Sequence, residues 1–426
     1  MYSMQKKWCG IDFVSWLGIA TLLLVVSFGI SACSTPEDPN KKPEPRTTPK
    51  VNVRASGPDK VLDPEKRGPY AVGVTTLTLE DKSRKQPNSS KHRPMVIEIW
   101  YPATDDTDKK AVDAYDMGKD APPDVLKILK EKKVTLPKLT QVAARDAKPL
   151  RKEGPYPLIL FSHGSGGIRF QSTFYCPHLA SHGFVVISVD HDGNTLFDLL
   201  RDKEAQGAKG MGRSINDRPK DMKFMYDEMV KRNKDPKDRF FEMILPEQLG
   251  VTGHSFGGLT SVLIVRDFPQ LKVSVPQAPH TTVARAVVNA DDLAKVPFLV
   301  MASMDDKTLD YQDEQKSFYD LMITSTYLKS DRFFFALKRG GHFTYSDICE
   351  LDLSAAAAKL GFGSSISNIL QDGCHKDKNI PTKEGHRLIN RYATAMFNVY
   401  LRGSKGSLKY LVPSAEKELI FDKKLP

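Results

Sequence analysis

Cysteine is scarce in this chain, with five in 426 residues and none of them in a C-x-x-C pair. H-E-x-x-H is absent too, so nothing in the sequence supports a structural or catalytic metal site, and no cofactor is expected. Neither G-x-G-x-x-G nor a P-loop spacing occurs, which weakens any reading of the glycine-rich stretches as phosphate loops. There is no internal repeat. The formal charge is +10, but no aromatic-interleaved basic patch or nucleic-acid motif accompanies it. A solvated basic surface accounts for that charge, and nucleic acid is not an expected partner.

What is present begins at the N-terminus. Lys6 and Lys7 form a basic region, and an apolar stretch from Phe13 to Ile30 ends in Ile30-Ser31-Ala32-Cys33. That ending resembles the lipobox of bacterial lipoproteins. Residues 1–32 are expected to be a signal peptide, with Cys33 as the acylated new N-terminus. A plain transmembrane anchor and an ordinary secretory signal are the alternatives, since the run is long enough to span a bilayer. Each places the remainder outside the cytoplasm. Ser34 rather than an aspartate follows the cysteine, which resembles outer-membrane sorting, so the expected location is the bacterial cell envelope on a lipid anchor. Residues 33–67 are rich in Pro, Lys, Glu, Thr and Asp, and are expected to be a disordered tether. An exported chain permits disulfides. Cys349 and Cys374 flank one local excursion and are expected to pair, leaving Cys176 as a buried thiol.

Folding is expected over residues 68–426. Strand-like runs are Val72–Leu79, Met95–Tyr101, Tyr156–Ser162, Phe184–Asp190, Leu249–His254, Leu271–Val275, Pro297–Ser303 and Arg332–Leu337. Helical patterns lie between them at about 172–182, 218–232, 256–267 and 310–325, with a last helix over about 383–401. Short continuous apolar strands alternating with helices predict an α/β fold, a mainly parallel sheet covered on both faces. The polar stretch at about 103–150 is an insertion, helix-like near 125–132. Met222, Met225, Tyr226 and Met229 form a stripe at helical spacing that fits a core face.

Gly253-His254-Ser255-Phe256-Gly257 stands between a strand-like and a helix-like run. A sharp strand-to-helix turn lifts a serine hydroxyl above the sheet edge, and the helix N-terminus faces a developing oxyanion. Serine needs a base, and sites of this type run serine, acid, histidine along the chain. His342, in Gly340-Gly341-His342 after the last strand-like run, is the candidate base. His375 and His386 are rivals, one in the excursion closed by the cysteines and one at a helix start. Asp305, after Pro297–Ser303, is the favoured acid and Asp306 its alternative, because neighbouring side chains point opposite ways. The backbone N–H groups of Phe256 and Ser165, the latter in His163-Gly164-Ser165-Gly166-Gly167, are the candidate oxyanion donors.

Together these stretches resemble the α/β-hydrolase branch that contains platelet-activating-factor acetylhydrolase and the dienelactone-hydrolase-like esterases. The matching residues also include Gly73-Val74-Thr75-Thr76-Leu77, Ile99-Trp100-Tyr101-Pro102-Ala103, Leu179-Ala180-Ser181-His182-Gly183-Phe184 and Arg218-Pro219-Lys220-Asp221. The resemblance implies an α/β-hydrolase fold and a serine hydrolase cleaving carboxylic esters through an acyl-enzyme, with a small-molecule or lipid ester as substrate. Two departures matter. The dienelactone hydrolases use a cysteine nucleophile where this chain has Ser255. The acetylhydrolase takes its acid one strand earlier, where this chain reads Gln277-Ala278-Pro279, so the lipase and polyester-hydrolase placement is expected. Phospholipase A2-like or lipase activity is the rival within enzymes, and an inactive surface-binding lipoprotein the rival outside them. The insertion and the segment 193–217 are expected to wall the site. Nothing in the sequence assigns an oligomeric state.

Overall fold

The structure, a computed structural model, describes residues 54–86, 89–202, 207–413 and 416–426, without the side chain of Ser365. The signal segment 1–32 and Cys33 therefore lie outside the described residues, as does the tether as far as residue 53.

Twelve strands are described. In chain order they are β1 (Ala71–Lys85), β2 (His92–Ala103), β3 (Val112–Asp116), β4 (Lys138–Val142), β5 (Ala144–Arg145) and β6 (Tyr156–Ser162). The rest are β7 (Val185–Val189), β8 (Ile244–His254), β9 (Leu271–Gln277), β10 (Phe298–Ser303), β11 (Arg332–Leu337) and β12 (Leu419–Lys424). Ten of them form one sheet in the order β12-β11-β10-β9-β8-β6-β7-β2-β1-β5. From β7 through β6 to β11 every neighbour is parallel, whereas β2 runs antiparallel to β7 and β1, and β12 antiparallel to β11.

The apolar runs explain this layout. Every residue of β6, β7, β10 and β11 is buried, as expected where helices cover both faces. One face packs on the helices Ala208–Lys234 and Phe256–Leu263, where Met222, Met225 and Met229 are core residues beside Leu259 and Val262. The other packs on Cys176–Ser181 and Thr382–Arg402 through Leu179, Leu388, Ile389, Tyr392 and Phe397.

The folded region begins earlier than expected. Residues 54–67, assigned above to the tether, lie against the domain. Ala55 and Ser56 are buried, the Pro64 carbonyl accepts from His178 at 2.9 Å, and the Lys66 carbonyl accepts from His182 at 2.8 Å. Glu65 pairs with Arg387 and Arg391. The stretch has no periodicity because it is held by point contacts rather than by an apolar face.

The insertion is an antiparallel hairpin of β3 and β4 enclosing the helix Pro123–Glu131. Tyr115 of β3 stacks on Phe170 with centroids 4.0 Å apart. The buried Glu98 carboxylate accepts from Arg145 at 2.6 Å and from Arg169 at 3.0 Å. These contacts tie the insertion to the loop after β6.

Candidate active site

β8 delivers Ser255 at the N-terminus of the helix Phe256–Leu263. Ser255 has φ 58° and ψ −116°, a conformation costly for a residue with a Cβ and typical of a nucleophile elbow. The flanking glycines are sterically required. A Cβ at Gly257 would stand 1.9 Å from the Ser162 carbonyl oxygen, and one at Gly253 would stand 2.5 Å from the Gly257 oxygen.

His342 enters from the loop after β11 and is buried. Its Nδ1 lies 2.8 Å from Oδ2 of Asp306. That carboxylate also accepts from the backbone N–H groups of Thr308 and Leu309, at 3.0 and 2.7 Å. The acid partner is therefore Asp306, and the expectation of Asp305 is corrected. Asp305 donates its backbone N–H to the Gly340 carbonyl at 3.0 Å while its side chain is exposed. The turn thus sends only the second carboxylate inward. With Nδ1–H given to Asp306, Nε2 of His342 is the nitrogen free to take a proton. Of the rival histidines, His386 is buried and stacked on Phe174, and His375 is engaged with Asn379 and Asp377 in its own turn.

Asp372 had no sequence signal. It is buried, and its Oδ1 accepts from the His342 N–H at 2.8 Å and the Lys307 N–H at 3.1 Å. Its Oδ2 accepts from the Thr308 hydroxyl at 2.7 Å. One carboxylate thereby joins the acid loop to the base loop.

The loop after β6 passes beside the serine: a Cβ added at Gly164 would lie 3.5 Å from Ser255 Cβ. In this loop the N–H of Gly164 bonds Gln171 Oε1 at 2.9 Å, that of Gly166 the Asn194 carbonyl, and that of Gly167 the Gly164 carbonyl. The Ser165 N–H makes no hydrogen bond to a described residue. Phe256, first in its helix, has an N–H that the helix cannot bond. Gln171 Nε2 donates to His254 Nδ1 at 3.0 Å, and His254 Nε2 donates to the His342 carbonyl at 2.9 Å. Burial, helped by the neighbouring His342, holds His254 well below the usual imidazole range, so this link stays neutral.

Ser255, His342 and Gly164–Gly167 share a cavity of about 410 Å³. Its walls are mostly apolar: Leu136 and Leu139 from the insertion, and Leu196, Leu199 and Leu200 from the helix Leu196–Arg201. A third wall, not anticipated, is the helix pair Ser354–Leu360 and Gly363–Gln371, which contributes Leu360 and Ile366. This pair lies inside the loop closed by the Cys349–Cys374 disulfide. Cys176 is a free buried thiol. Among the described residues no group of three or more His, Cys, Asp or Glu could hold a metal ion.

The sheet, the elbow and the Asp306–His342 pair define an α/β-hydrolase. The family model for platelet-activating factor acetylhydrolase, isoform II, matches residues 55–209, and that for PET hydrolase-like proteins matches residues 164–356. The chain is 28% identical over 155 residues to the platelet-activating factor acetylhydrolase of Cavia porcellus, covering 35% of this chain and 34% of that protein. It is 31% identical over 140 residues to that of Gallus gallus, covering 30% of each. The chain thus spans about a third of the length of these curated relatives. A solved ferulic acid esterase from Streptomyces cinnamoneus superposes with a TM-score of 0.59 at 22% identity, covering 83% of this chain and 96% of that one. The fold is that of the α/β-hydrolases, and the two family models match overlapping parts of the chain.

Proposed function

We propose that the protein is a serine hydrolase cleaving carboxylic esters with an apolar portion, through an acyl-enzyme. The observation that carries this reading is the strained Ser255 in one cavity with His342, whose Nδ1 faces Asp306. Ser255 attacks the carbonyl, His342 takes its proton and returns it to the leaving alcohol, and Asp306 steadies the imidazolium. Ser165 and Phe256 N–H groups receive the oxyanion. Water then releases the acyl group. The apolar walls favour substrates with a hydrocarbon arm. Phospholipids come within this class because of the likeness to the acetylhydrolases.

A fluorophosphonate probe tests the chemistry: the folded protein should label and Ser255→Ala should not. Absence of labelling would sink the reading in favour of a binding protein. A chain-length series of p-nitrophenyl esters beside a phospholipid then separates esterase from lipase. We also propose that Cys33 carries lipid and holds the domain at the cell envelope, on the strength of the lipobox-like Ile30-Ser31-Ala32-Cys33. Labelled palmitate should enter the wild-type chain and not Cys33→Ser.

A further inference from the structure

The two oxyanion donors of the proposed reaction are held differently. The Phe256 N–H is aimed by its helix, whereas the Ser165 N–H sits in a loop rich in glycine. In a trans peptide the N–H points opposite to the preceding carbonyl, and Gly164–Ser165 is trans. Whatever holds the Gly164 carbonyl therefore decides where the Ser165 N–H points.

Three donors hold it: His163 Nδ1 at 2.7 Å, Arg218 Nη2 at 3.1 Å and the Gly167 N–H at 3.1 Å. His163 is locked as the Nδ1–H tautomer, because its Nε2 accepts from the His191 N–H at 3.1 Å. Arg218 reaches further. It also donates to the His163 carbonyl, to Asn194 Oδ1 and, at 3.2 Å, to the Ser162 hydroxyl. Its guanidinium carbon lies 4.7 Å from the centroid of the Phe256 ring, the residue that supplies the other donor. Arg218 is fully buried and does not line the cavity. Asp221 provides negative charge nearby, itself held by Arg93 at 2.7 Å and His191 at 2.9 Å.

We propose that Arg218 is the positioning residue of the oxyanion site. By drawing the His163 and Gly164 carbonyls inward, its planar fork turns the Ser165 N–H outward to the cavity. A lysine has the charge but not the fork, and cannot hold carbonyls of two residues and an amide in one plane. The inference rests on the serine-hydrolase reading above.

The test compares an ester with its thionoester, whose sulfur is a weak hydrogen-bond acceptor and so draws little from an oxyanion site. Arg218→Met should lower kcat on the ester by about 10²-fold with KM within about twofold, the size expected for loss of one oxyanion donor. The ester-to-thionoester rate ratio should fall by about tenfold. Arg218→Lys, which keeps the buried charge beside Asp221, should show the same fall in ratio and serves if the methionine variant does not fold. A folded variant with the wild-type ratio, or with a loss confined to KM, overturns the proposal. Fluorophosphonate labelling separates the two levels. An unlabelled wild-type chain overturns the parent reading, whereas labelled variants with an unchanged ratio overturn only the role of Arg218.

Discussion

Two adjacent carboxylates differ here only in where a turn sends them. Asp306→Asn should lower kcat by about 10⁴-fold, the loss seen when the base is held in the wrong tautomer. Asp305→Asn should stay within about twofold, as befits an exposed side chain, and steady-state kinetics of the pair decides between them. The sequence placed the acid after β10 but could not choose, because the choice depends on the Asp305 N–H reaching Gly340, 35 residues away. One signal was there to use: Asp306 caps the N–H groups two and three residues on, a habit of aspartate in turns. Gln171, Arg218 and Asp372 carried no such mark: Gln171 holds the Gly164 N–H within an irregular loop, and Arg218 and Asp372 act on backbone 30 or more residues away. Asp347, buried at the cavity edge, makes a separate prediction. Burial raises its pKa to about 7, so the folded chain keeps a proton that the unfolded chain releases near pH 4. Its contribution to stability is therefore present at low pH and lost as pH rises from about 4 to about 7. Asp347→Asn should melt higher than wild type near pH 8 and alike near pH 4. Equal gains at both values would count against it.

Among the elements, the parallel strands were legible because burial on both faces leaves a continuous apolar run. β3, β4 and β12 were not, since each exposes much of its length and its alternation is short. The helices Ser354–Leu360 and Gly363–Gln371 were missed for a related reason: their apolar sides face a cavity and not the sheet. The disulfide closes a 25-residue separation around them. Cys349→Ser with Cys374→Ser should cost about 3 kcal/mol by loop entropy, read by denaturant melts. Because the same loop carries Asp372 and one cavity wall, turnover of long-chain esters should fall more than that of acetates. An unchanged chain-length profile would show that the helices hold their place without the staple.

At the scale of the whole molecule, the described fold already includes Arg54, 14 residues before the expected boundary at Gly68. A chain beginning at Gly68 should be destabilised against one beginning at Arg54 by about 2–5 kcal/mol. That is the range for losing partners of buried polar groups, here His178, His182 and Arg391. Thermal melts of the two compare them directly, and equal midpoints would mean that these residues merely rest on the surface. The cavity has a wider consequence. Ser255 and His342 stand in turns that follow sheet strands, while the walls of the cavity come from three separate excursions: the insertion, the helix Leu196–Arg201 and the cystine loop. Each excursion leaves and rejoins the scaffold without interrupting a sheet strand that bears Ser255, Asp306 or His342. Grafting one wall from another esterase should therefore retune which acyl group is accepted while the rate of phosphonylation at Ser255 is kept, so that selectivity and reactivity become separately adjustable parts of a single chain.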